Sequence, residues 1–385
     1  MTLLLILSVI ACVSSIVTAV VLAFGIRKIG LLGDITPGES VEPSVSIIVP
    51  ACNEEEHIEK GLMSLLDQEY QNLEIIVVND RSTDNTAGVL EAIQKLHPRL
   101  RVQHVCKLPE GWMGKSHALA MGAAVAAGEY LVFTDADVLM EKKVIAKAVR
   151  HVTQNRLDHL TLIFKNISGG WLLNSLVLDA GMGLIYLFRP WAAKKKKDRA
   201  FVGIGAFNMV RKEVYERIGG HSRFKMHPID DMMLGKNIKK DNFRQDCLLA
   251  YDYLTVPWYD SVRAMVEGLQ KNLFAVVHYR LWLVPIAVVG VVVGTILPTW
   301  GLVFGDSTVQ MVCLATILIR LLVFFKGLQL QNLPFYYVLG ALVTPYISCY
   351  IIVRSALVTV LQGGIIWRGR HYPLKELRKS EPLFF

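Results

Sequence analysis

A chain of 385 residues can hold one domain of ordinary size with further elements attached. Hydrophobic residues make up 53% of it, above the ~45–50% of soluble domains. The excess lies at the two ends, which excludes a wholly soluble protein and leaves the middle as the soluble part. The net charge of +8, from 41 Lys+Arg against 33 Asp+Glu, sits on basic residues beside the apolar segments, which suits an anionic lipid face and argues against nucleic acid.

Leu3 to Gly25 is apolar and long enough to cross a bilayer. Nothing basic precedes it, while Arg27 and Lys28 follow, so it reads as an uncleaved anchor with the next segment cytoplasmic. The chain then alternates. Val45 to Pro50 has the apolar run of a buried strand. Glu54 to Gln68 has helical spacing, with Ile58, Leu62, Leu65 and Leu66 on one face. Glu74 to Asp80 is a second strand, and Ser82 and Asp84 are placed to cap the helix running to Leu96. Arg101 to Cys106 is a third strand, Lys115 to Ala127 an Ala-rich helix, and Glu129 to Asp135 a fourth strand. The pattern predicts an α/β fold, a parallel Rossmann-like sheet with helices on both faces. Ligands bind such sheets beyond the carboxyl ends of the strands.

Those ends are polar. Asp135 and Asp137, two apart on an extended chain, point to one side, and hard divalent cations take one or two carboxylates together with phosphate oxygens. A D-x-D alone is more often a solvated turn; after a buried strand and beside other polar strand ends, it reads as a Mg or Mn site. Asp80 ends the second strand, where acids reach a nucleotide, or else caps the next helix. Lys115 follows Gly114 at a helix start, where a cation can neutralise phosphate, although the P-loop spacing is missing and a lone lysine there is more often plain surface.

Trp171 to Trp191 is largely apolar and precedes Lys194, Lys195, Lys196 and Lys197. It reads either as a helix in the membrane interface with lysines on headgroups or as a buried core helix. The small-residue loop Gly203 to Asn208 is equally a tight turn or part of a binding site. Pro228, Asp230 and Asp231 open a helix. Both acids favour its dipole, and one of them can face the crevice as a general base.

Leu281 to Phe304, Val309 to Phe325 and Phe335 to Leu361 are three further apolar segments. Three full crossings would place the basic tail outside, against the positive-inside rule. One segment is therefore expected to be re-entrant or interfacial, or the last to fold back at Pro345, leaving the tail cytoplasmic. The six cysteines form no C-x-x-C pair, so neither a disulfide framework nor a zinc site is expected.

The strings VSIIVPACNEE, EIIVVNDRSTDNT, GKSHALAMGAAVAAGEYLVFTDADV and DDMMLG together resemble glycosyltransferase family 2, over roughly Val45 to Lys271. The apolar ends and the WRGRHYPL tail are similar to the membrane-bound branch that includes carotenoid-acid and hopanoid-associated glycosyltransferases. The resemblance implies a GT-A nucleotide-sugar-binding domain (residues 40–278) between an anchor (1–28) and a membrane region of two to three helices (281–363), with a basic tail (364–385). It implies that Pro50, Glu54, Asp80, Lys115 and Asp135 bind the nucleotide sugar, with a UDP-sugar favoured, and that Asp135 and Asp137 hold the metal and diphosphate. Asp231 becomes the base, leaving Asp230 to cap, and Gly203, Gly205 and Asp230 lie at the donor sugar and acceptor. Inverting transfer of one sugar to a lipid-like acceptor, terpenoid or carotenoid, is expected at a bacterial cell membrane. The alternatives are a polyprenyl-phosphate sugar synthase, a processive polysaccharide synthase and a catalytically inactive membrane scaffold. No Q-x-x-R-W string follows the acids, which weakens the processive reading.

Overall fold

The structure is a computed structural model, and it describes residues 3–37, 43–167 and 169–384. The expected boundary at residue 40 and the terminal residues 1, 2 and 385 lie outside the described residues.

Alternation along each central strand builds two cores. Ile47 and Val49 of the strand Val45–Ala51 face one side, where the helices Ile58–Leu66, Thr86–Leu96 and Val144–Asn155 pack. Ile48 faces the other, against Gly114–Val125 and Asp230–Lys240. Side chains two apart share a face of a strand and neighbours do not, so a strand buried on both sides is apolar throughout. Ile47, Ile48, Ile75 and Ile76 are all fully buried, and truncating any one to Ala would cost about 2–5 kcal/mol.

The sheet has eight strands among the described residues, in the order Gly30–Leu31, Gln245–Leu249, His159–Ile163, Asn208–Arg211, Tyr130–Phe133, Val45–Ala51, Leu73–Asp80, Leu100–Val105. The expected all-parallel arrangement is corrected at one place: Asn208–Arg211 runs antiparallel to both neighbours. It therefore begins where its parallel neighbours end, which delivers the loop before it to their carboxyl ends. The strand ends are also stitched together. Ser82 does not cap the following helix; its Oγ accepts the Asn53 N–H at 3.0 Å, while the Asn53 side chain accepts the Thr83 N–H at 2.7 Å. Asp84 instead accepts the Thr86 N–H and hydroxyl.

Five helices are long and apolar enough to cross a membrane: Leu3–Ile26, Trp171–Ala193, Leu283–Phe304, Ser307–Leu330 and Thr344–Leu361. Connectivity separates them. Trp171–Ala193 leaves the sheet after His159–Ile163 and returns to it at Asn208–Arg211, so it cannot make a single crossing. Leu283–Phe304 and Ser307–Leu330 form an antiparallel pair that goes out and back. A 3₁₀ segment, Phe335–Leu342, then precedes Thr344–Leu361, which breaks the long last apolar run just before Pro345.

The residues expected to form a basic tail fold back onto the sheet unit. Gly364–Trp367 and Arg370–Pro373 pair as a hairpin. Glu381 bridges Lys236 at 2.9 Å and Lys240 at 3.1 Å, Leu383 enters the core, and Phe384 stacks on Phe188. Sheet and C-terminal segment are thus in contact, so a single crossing by Thr344–Leu361 would need Leu283–Phe304 and Ser307–Leu330 not to be an out-and-back pair. Thr344–Leu361 packs on Val262–Val276, on Trp171–Phe188 and on the stretch Leu283–Val291 of the neighbouring pair, while Leu3–Ile26 packs on Ser307–Leu330. In sealed vesicles, an impermeant maleimide should reach the exposed native Cys106 and a Lys379→Cys variant from one face, and Ser307→Cys from the other. Labelling of Lys379→Cys from the Ser307 face would show that Thr344–Leu361 crosses.

Candidate active site

The crevice at the carboxyl ends of the strands is built around Lys115, one residue into the helix Gly114–Val125. Its Nζ lies 2.6 Å from Asp135 Oδ1 and 4.0 Å from Asp230 Oδ1. Asp231 Oδ2 accepts the Gly205 N–H at 2.9 Å, and its Oδ1 accepts the Met232 N–H at 2.8 Å. Lys115, Asp135, Gly205, Asp230 and Asp231 line one small cavity. The two glycines of the preceding loop are there for close approach. A Cβ on Gly205 would lie 2.8 Å from Asp135 Oδ2, and one on Gly203 would run into the backbone of Asp231 and Met232.

The sequence reading gave Asp230 the helix cap, and this is corrected. Ile229 stands at the N-cap and Asp230 is already the first helical residue, buried beside Lys115, whereas Asp231 takes the N–H of its own neighbour. Residues one apart need not diverge at a helix's first turn, because the chain enters it from a loop, and both acids reach the crevice.

Crowding sets the protonation of these groups. Burial and then Asp230 push the Asp231 carboxyl up to about 6. Burial also raises Asp230, with Lys115 opposing. Asp137 is pushed up to about 7 by burial, Asp135 and Glu54. Burial works against the Lys115 ammonium, but Asp135, Asp230 and Asp231 outweigh it and hold the charge. Like charges this close favour any arriving cation.

The remaining expected residues ring this cluster. Glu54 follows the strand Val45–Ala51 and is near enough to Asp135 for their charges to interact. Pro50 stands one residue before that strand's end, in register with Val78. Asp80 is buried, and Arg81 forks onto both of its oxygens at 2.7 and 2.8 Å.

The structure adds residues that the sequence reading did not single out. Lys271, on the helix Val262–Val276, lies within charge range of Asp230, Asp135 and Asp231, and burial with Lys115 pushes its ammonium down to about 8. Trp367 lies under it, 3.5 Å from ring centroid to Nζ. Arg368 pairs with Glu54. The WRGRHYPL string contained Trp367 and Arg368; nothing in the sequence set Lys271 apart from other helix lysines.

A divalent cation fits this chemistry. Asp135, Asp137 and Glu54 raise one another's negative potential. No group of three His, Cys, Asp or Glu among the described residues could enclose a metal, so phosphate oxygens would have to complete the shell, as Mg²⁺ sites commonly require.

Residues 46–219 match the profile of the family described as Glycosyl transferase family 2. An uncharacterized glycosyltransferase of Haemophilus influenzae is 38% identical over 120 residues, 31% of this chain and 35% of that protein. A 4,4'-diaponeurosporenoate glycosyltransferase of Staphylococcus haemolyticus is 26% identical over 256 residues, 61% of this chain and 62% of its own length. The chain thus spans less than two thirds of either relative. Among solved structures, the mannosyltransferase PcManGT from Pyrobaculum calidifontis, in complex with GDP-Man and Mn²⁺, aligns over 89% of this chain and 99% of its own, with a TM-score of 0.57 at 18% identity. That likeness carries the fold. Residues 46–219 of this chain therefore form a glycosyl transferase family 2 domain, built on the GT-A fold.

Proposed function

We propose that the chain is an inverting glycosyltransferase that moves one sugar from a nucleoside-diphosphate sugar, UDP-sugar favoured, to a hydroxyl of a lipid at a membrane. The observation that carries this is the convergence of Asp135, Asp230 and Asp231 on Lys115 in one crevice, with Asp137 and Glu54 within charge range of Asp135. The family domain supports sugar transfer. The carotenoid-acid relative and the exposed apolar side chains of Trp171–Phe188 and Thr344–Leu361, such as Leu184, Leu187, Tyr350 and Leu357, support a lipid acceptor of terpenoid type. In this reading a membrane anchor and a helical hairpin hold the GT-A unit at the cytoplasmic face.

Asp231 takes the proton of the acceptor hydroxyl as the hydroxyl oxygen attacks the anomeric carbon from the side opposite the diphosphate. Its two backbone N–H bonds fix the carboxylate's direction, and a base with a pKa near 6 is mostly ionised at neutral pH while still basic enough to accept a proton. Lys115 supports the developing negative charge of the leaving diphosphate. Asp135 and Asp137 would hold Mg²⁺ or Mn²⁺, which as a Lewis acid supplies further neutralisation of that diphosphate; the Mn²⁺ of the archaeal neighbour supports this choice.

The test is transfer by the detergent-purified chain from UDP- or GDP-sugars to bacterial lipid extract, read by mass spectrometry. No sugar–lipid product with any donor would refute the reading. Asp231→Asn should keep nucleotide binding and lose ~10²–10⁴ in rate, while Asp230→Asn keeps more activity; if the order is reversed with both folded, Asp230 is the base. Chelation should abolish transfer and added Mn²⁺ restore it. Asp137→Ala should abolish metal-dependent transfer, and wild-type rates with an intact metal response in that variant would remove Asp137 from the site. Because Asp231 acts only when ionised, kcat/KM should fall about tenfold per pH unit below about 6; an acid limb unchanged in Asp231→Asn would assign it to another group.

A further inference from the structure

The hairpin at the C-terminal end turns through Arg368 and Gly369, both at positive φ, 48° and 73°. Two-residue hairpin turns of this kind take Asn, Asp or Gly at the first position, and a long side chain there is disfavoured. The arginine is nonetheless present, and its guanidinium reaches back to the sheet. It pairs with the Glu54 carboxylate and lies 3.4 Å from the Asn53 carbonyl oxygen. Both partners follow the carboxyl end of Val45–Ala51, and Glu54 is within charge range of Asp135 and Asp137.

The same hairpin touches the crevice at two further points. Trp367 lies under the Lys271 ammonium at 3.5 Å, and the Tyr372 hydroxyl accepts the Gly114 N–H at 3.3 Å, one residue before Lys115. Three side chains of one hairpin thus meet three separate elements around one site. Arg81, another guanidinium close by, is forked onto Asp80, whereas Arg368 keeps 39% of its side chain exposed at the mouth.

We propose that Arg368 binds the donor's diphosphate, delivered to the site by the C-terminal hairpin and held in place by Glu54 until the diphosphate takes it over. A planar guanidinium presents parallel N–H groups that match a carboxylate and a phosphate equally well, so the exchange replaces one partner with a more highly charged one of the same shape. Trp367 and Tyr372 keep the hairpin seated while the arginine side chain moves. The proposal rests on the nucleoside-diphosphate-sugar reading above.

The test is calorimetric titration of the full-length chain in detergent, with Mn²⁺, using UDP and GDP and their monophosphates. Arg368→Ala should weaken the diphosphate roughly 10- to 100-fold and the monophosphate far less, so that the ratio of the two affinities collapses. Arg368→Lys, which keeps the charge and loses the fork, should fall between. If Arg368→Ala does not fold, Arg368→Lys and Arg368→Gln are read by the same ratio. Wild-type ratios in folded variants would leave Arg368 as a latch and overturn the proposal alone. A wild-type chain that binds neither UDP nor GDP would overturn both the proposal and the reading beneath it.

Discussion

Carboxylates gathered at one end of a sheet repel one another, and much of this fold serves to hold them there. Glu54, Asp80, Asp135, Asp137, Asp230 and Asp231 come from four separate stretches of chain. At about 4 Å, two like unit charges repel by about 4 kcal/mol at an effective dielectric of 20, so each close pair needs a cation or a proton. Lys115 answers Asp135 and Asp230, Arg81 answers Asp80, and Arg368 answers Glu54. Among the described residues Asp137 makes no such ion pair, and burial with Asp135 and Glu54 pushes it up to about 7. In the proposed enzyme the metal and the donor's phosphates meet there.

The cations are recruited from a wider span than the acids. Arg81 and Lys115 belong to the sheet unit, but Lys271 lies on the helix that leads toward the apolar region, and Arg368 lies beyond that region altogether. The crevice is therefore completed only after the chain has passed through its membrane-prone helices and returned. This couples the seating of those helices to the electrostatics of the site. It also explains why the C-terminus lies folded on the sheet unit: Glu381, Leu383 and Phe384 each fix it by a different interaction.

The apolar helices divide by connectivity. Leu3–Ile26 packs on the pair Leu283–Phe304 and Ser307–Leu330, and Trp171–Phe188, Val262–Val276 and Thr344–Leu361 pack on one another and against that pair.

The sequence by itself determined the sheet unit's local structure, because periodicity is a local property. Runs such as VSIIVP and EIIVVND can be buried on both faces only as central strands, and polar residues that end them must lie at the sheet's mouth. The acids of the site were legible for the same reason, each marked by its place at a strand end or helix start. Tertiary structure alone decided the rest. The antiparallel insertion of Asn208–Arg211 depends on which neighbours it pairs with, and a four-residue strand carries no mark of direction. The shared burial of Asp230 and Asp231 depends on the angle at which a loop enters a helix. Charge bias already argued that one C-terminal segment does not cross and left Trp171 to Trp191 as interfacial or buried core, and the return of the chain to one sheet indicates which segments these are. Lys271 and Arg368 reach the crevice across large sequence separations, and an exposed-looking lysine or arginine has no local feature to reveal a distant carboxylate as its partner.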